Sequence, residues 1–116
     1  MYTREQYDAL SLNYRLTRNT MTVADQEAMR LKLNAIFSEL KRNELVKTWL
    51  AGEQVDTTTF LSMLRQYGID YLKDSAWVQG DVEAVGANGY TAVKMGKRKE
   101  NRLATLCREL TAALSK

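Results

Sequence analysis

The chain has 116 residues, 45% of them hydrophobic and 27% charged, and a formal net charge of +3. That size fits one domain spanning 1–116 with a core of its own. With Cys107 its one cysteine and no histidine, the chain excludes an internal disulfide framework and an intrachain Cys/His zinc site. It contains no proline, so neither a cis-proline turn nor a proline-broken helix is expected. No apolar run approaches the roughly 20 residues of a membrane helix. Met1–Gln6 is polar, without a signal-type apolar stretch. The expected location is cytoplasmic, with no membrane partner.

Thr3-Arg4-Glu5-Gln6 has the form of a capping box and opens a first predicted helix, with Tyr7, Leu10 and Tyr14 at helical spacing. It should fade near Arg18-Asn19. Thr22 is the next N-cap, with Asp25 three residues on. The following helix carries Met29, Leu33, Ile36, Phe37 and Leu40 on one stripe. The short Asn19–Met21 link makes these two helices an antiparallel hairpin. After Leu40 the stripe loses phase, because Leu45, Val46, Trp49 and Leu50 point elsewhere. Either one continuous helix turns its burial round, or it breaks or kinks at Arg42-Asn43 and restarts with Asn43 as cap; the second is favoured, with Gly52 as the C′ residue at the end.

Asp56 or Thr57 caps another helix, with Phe60, Leu61, Leu64 and Tyr67 on its buried face and Gly68 at its end. Residues 69–80 fit neither period and are left as a helical turn or an irregular packed segment. Asn88-Gly89 is a strong two-residue hairpin signal. With those two in the loop, Ala87 faces Tyr90, Val85 faces Ala92 and Glu83 faces Lys94. On the other face Ala84 meets Val93 and Val82 meets Met95. The last helix starts between Lys97 and Asn101 and buries Leu103, Leu106, Cys107, Leu110, Ala113 and Leu114. Cys107 reads as a small buried hydrophobe. The fold class is therefore α+β, mainly α. It has four or five helices and one β-hairpin before a C-terminal amphipathic helix.

Charge is unevenly placed. Residues 1–58 are neutral and 59–93 carry net −2, whereas 94–116 carry seven basic residues against Glu100 and Glu109, net +5. A local basic patch points to an anionic partner. Lys94, Lys97, Arg98, Lys99 and Arg102 join the hairpin to the last helix. Lys97, Arg98 and Lys99 lie where a helix dipole disfavours cations, a placement that costs stability. With Tyr90 as a nearby aromatic, the cluster suits phosphate contacts, in DNA or RNA, plus stacking. Five phosphates neutralised would give a salt slope of roughly −4.5.

Residues 44–51 and 57–67 also have the spacing of a helix–turn–helix, with Arg65 and Gln66 as base-reading types. Asp56 at the start of the second helix would repel a phosphate backbone, so two adjoining core helices explain these residues better. Asp70 with Asp74, and Asp81 with Glu83, are carboxylate pairs. Without a glycine-rich phosphate loop or a histidine they read as surface residues and partners for Lys73 and Lys94. Met29, Leu33, Ile36 and Leu40 repeat at coiled-coil spacing over about two heptads, enough for a helical hairpin or for a homodimer through 29–40. The sequence predicts no catalytic residue, metal or cofactor. The expected function is non-enzymatic nucleic-acid binding. The alternative is a protein-interaction module, an inhibitor or adaptor, that meets an acidic protein surface through basic residues and exposed aromatics such as Trp49 and Trp77. A peripheral membrane role for the last helix ranks lowest, since its apolar face lacks tryptophan and phenylalanine.

Overall fold

The computed structural model describes residues 1–116. Its helices are α1 (Arg4–Thr17), α2 (Val23–Leu50), α3 (Thr57–Gln66), α4 (Ser75–Asp81) and α5 (Lys97–Leu114). Its strands are β1 (Val55–Asp56), β2 (Val82–Gly86) and β3 (Gly89–Ala92). The α+β, mainly helical class read from the sequence holds. No helix is long and apolar enough to cross a membrane. The chain divides into two compact units, Met1–Leu45 and Val46–Lys116.

In the first unit the Thr3 hydroxyl accepts from the Gln6 N–H at 3.1 Å, and the Gln6 amide oxygen accepts from the Thr3 N–H at 2.9 Å. The capping box is therefore closed. A 3-10 turn, Arg18–Thr20, ends α1 and leads to the Thr22 cap of α2, whose hydroxyl accepts from the Asp25 N–H at 3.1 Å. The Gln26 amide donates to the Arg18 and Met21 carbonyls, tying the turn to α2. Tyr7 meets Phe37 with ring centroids 5.7 Å apart. Leu33, Ile36 and Leu40 are buried within the single chain, while Met29 is half-buried.

The predicted break at Arg42-Asn43 does not occur: α2 runs unbroken for 28 residues. No glycine or proline interrupts it, so nothing local forces a break. What the sequence shows as a phase change is a change of buried side. Leu33, Ile36 and Leu40 carry burial in the first unit and Trp49 in the second.

The second unit holds the fully buried side chains Trp49, Phe60, Met63, Leu64, Val78, Val85, Leu103, Leu106 and Leu110. Trp49 stacks on Phe60, centroids 5.5 Å apart and 11° between planes, and its indole N–H donates to the Thr111 hydroxyl at 2.8 Å. That bond satisfies the one polar atom a buried tryptophan carries. Gly52, at φ 83°, closes α2 in a Schellman motif: Gly52 N–H donates to Trp49 O and Glu53 N–H to Thr48 O. Asp56 caps α3 by accepting from the Thr59 N–H at 2.6 Å, and Gly68, at φ 71°, ends α3 in a second Schellman motif. Tyr67, expected on the buried face, is exposed, because it is already the C-cap residue; Met63 fills the core instead. The undecided 69–80 segment holds all but the last residue of the two-turn helix α4.

The hairpin forms in a different register from the one read. Gly86 pairs with Gly89, Val85 with Tyr90 and Ala84 with Thr91, so Ala87-Asn88 is the loop. Neither loop residue has positive φ, so the turn is not the type I′ that Asn-Gly implies. A strand invisible in the sequence provides the reason. The two residues of β1 pair with β2, Val55 opposite Val85, and complete an antiparallel sheet in the order β1-β2-β3. This brings Glu53-Gln54 against Gly86, where a Cβ would stand 2.8 Å from the Glu53 carbonyl oxygen. Only glycine fits there, and that position fixes the turn. A bulge at Glu83 then lets Val82 and Val85, an odd number of residues apart, both be buried. Val82 pairs with Ala92 rather than Met95, and Glu83 has no pairing with Lys94.

Candidate functional site

Four residues after β3 the chain enters α5. Gly96 is its N-cap and has no side chain to satisfy the first-turn N–H groups. Those donors belong to the first residues of the helix, Lys97, Arg98 and Lys99, all exposed. Lys94 is exposed in the bend before them. Lys94, Lys97 and Arg98 form no ion pair with the protein. An uncapped helix start, carrying the positive end of the dipole and two unpaired cations, is thus open to solvent.

The other sequence candidates are engaged. Lys99 Nζ lies 3.1 Å from Asp81 Oδ2 and 5.8 Å from the centroid of Trp77, so its amine rests over that half-buried ring. Arg102 donates from Nε to Asp74 Oδ2 and from Nη2 to the Asp70 carbonyl oxygen, each at 3.0 Å. The Asp74 residue is only 6% exposed, so Arg102 neutralises a nearly buried charge. Both carboxylates, expected from the sequence to partner Lys73 and Lys94, pair instead with cations of α5. Tyr90 is half-buried on β3, and burial together with the Glu100 carboxylate raises its hydroxyl pKa.

Arg65 and Gln66 are exposed at the C-terminal end of α3. Residues 44–50, the first half of the helix–turn–helix reading, are the last turns of the long α2 rather than a separate short helix. Trp49 is fully buried and Trp77 is half-covered beneath Lys99, so neither is an exposed aromatic anchor.

Sequence reasoning missed a cleft of about 520 Å³ between the hairpin turn and α5. Its lining includes Asn88, Tyr90, Ala104, Cys107, Arg108 and Thr111. Cys107 is buried, and desolvation pushes its thiol up to about 12, so it is a neutral wall at physiological pH. Arg108 is exposed and donates to the Thr105 hydroxyl at 3.1 Å. The small residues Gly86, Ala87 and Ala104 leave the space. They had no signal in the sequence, because the cleft depends on a hairpin register that the turn motif misassigns. No family model, curated protein or solved structure matches the chain.

Proposed function

We propose that the protein binds nucleic acid without catalysis, holding phosphates at the start of α5 with Lys94, Lys97 and Arg98. The observation that carries this reading is the uncapped N-terminus of α5 with unpaired cations on it. Each of these features opposes stability in the free protein, and a bound phosphate reverses both. It accepts from the orphan N–H groups and neutralises the clustered charge. Lys99 and Arg102 support the surface from behind through Asp81 and Asp74. The number of phosphates falls accordingly from five to about three, and the expected salt slope to roughly −2 to −3. Such a partner goes with a cytoplasmic location.

The test is fluorescence anisotropy with labelled oligonucleotides across a salt series, comparing wild type with a Lys94→Ala, Lys97→Ala, Arg98→Ala triple variant. Wild type should bind with that slope and the variant should lose binding. Thermal unfolding of the same variant should show stability unchanged or raised by about 0.3–1 kcal/mol, because cations at a helix start are unfavourable. Absence of binding by wild type at low salt, or binding indifferent to salt, defeats the reading.

A further inference from the structure

The cleft between the hairpin turn and α5 lies on the same side of α5 as Lys97, which is eleven residues, about three turns, before Arg108. The cleft therefore has Arg108 at its rim and the unpaired Lys97 some 16 Å away along the same face, with Arg98 turned about 100° from it. Between them Glu100 stands beside the Tyr90 hydroxyl, the one acidic group on that stretch of the face. The volume of about 520 Å³ lies within the range of small-ligand sites. Its glycine and alanine walls and neutral thiol suit a flat, uncharged ring rather than an ion. The adjoining cations suit the charges such a ring would bring with it. A nucleobase attached to its sugar-phosphate backbone has this combination.

We propose that this cleft holds one unstacked base of a single strand, with Tyr90 against the ring and Arg108 and Lys97 toward the flanking phosphates. The proposal rests on the nucleic-acid reading above and adds the strand state. A duplex keeps its bases paired and stacked and has no base to offer the cleft, whereas single strands are read by stacking on aromatic side chains. Asn88 supplies a polar side chain that would meet the base edge; the Thr111 hydroxyl is held by Trp49 and the Cys107 carbonyl.

The test compares a single-stranded oligonucleotide carrying 2-aminopurine with its duplex form, on wild type, Ala104→Phe and Arg108→Ala. Wild type should bind the single strand about tenfold more tightly than the duplex and alter the 2-aminopurine emission. Ala104→Phe fills the cleft and should bring single-strand affinity down to the duplex level. Arg108→Ala should reduce the single-strand salt slope by about 0.7. Circular dichroism confirms that each variant is folded. Equal affinity of wild type for both forms overturns the cleft proposal while leaving phosphate contact at α5 intact; no binding of either form overturns both. Amide chemical shifts settle the occupant independently. Deoxyadenosine monophosphate should perturb residues 86–90 and 104–112. Perturbation there by an acidic aromatic tetrapeptide and not by the nucleotide would overturn the proposal in favour of a protein ligand.

Discussion

Arg102 and Lys97 are both basic residues of one helix, five positions apart, and their physical roles are opposite. Arg102 holds the Asp74 carboxylate, which the fold leaves almost no water to solvate. Arg102→Ala should therefore lower stability by about 2 kcal/mol in urea titration, since a buried charge would lose its hydrogen-bonded partner. Asp56 gives a second prediction. The Thr59 backbone N–H, and then its side chain, hold the Asp56 carboxyl below its ordinary value of 3.8. A depressed folded pKa means that the contribution is complete above about pH 4 and is lost as pH falls through the folded value. Asp56→Asn keeps a capping oxygen but removes the charge. Wild type should be the more stable of the two at pH 6, and its advantage in urea midpoint should shrink as pH falls below the ordinary carboxyl value. Caps at Thr3 and Thr22 were legible in the sequence because capping partners lie three residues apart, and Asp56 was one of two candidates, with Thr57, for the cap of α3. The Arg102–Asp74 pair was not, because its members are 28 residues apart and only the fold joins them.

Among the elements, the hairpin shows where a strong local motif is overruled. Its existence was legible from Asn88-Gly89 and the apolar residues around them. Its register was not, because β1 is two residues long and has no periodicity to detect. Pairing of β1 with β2 puts a carbonyl oxygen against Gly86, and that steric demand outweighs the turn preference of Asn-Gly. Gly86→Ala should cost about 1–3 kcal/mol, measured by chemical denaturation, as expected for forcing atoms into a filled space. Asn88→Ala, at a position without positive φ, should leave the turn geometry unstrained. The unbroken α2 teaches the same lesson for helices. Loss of stripe phase marks a change in burial direction, and a break needs glycine, proline or a cap as well.

At the scale of the whole molecule, burial is unequal between the two units. Every fully buried large side chain belongs to Val46–Lys116, and α1 has no buried residue at all. Local stability should follow burial. In native-state hydrogen exchange, amides of α1 should exchange well before those of Leu103–Leu110 in α5; equal protection would contradict this. Composition and length suggested a core but could not show where along the chain it would concentrate. Uneven charge, by contrast, was legible from counting, and it located the exposed basic segment. The cleft beside that segment was not, since it is made of small residues gathered by tertiary contacts.

The two tryptophans sit in such different surroundings that the protein carries two built-in optical reporters. Trp49, stacked on Phe60 and sealed in the core, is inaccessible to ionic quenchers and its emission follows unfolding of the second unit. Trp77 lies under the Lys99 amine beside the positive end of α5, where iodide is drawn by the local field. Iodide quenching of the unmodified protein therefore samples the basic surface, while the residual emission samples the core, and an anion bound at α5 changes the first signal without disturbing the second.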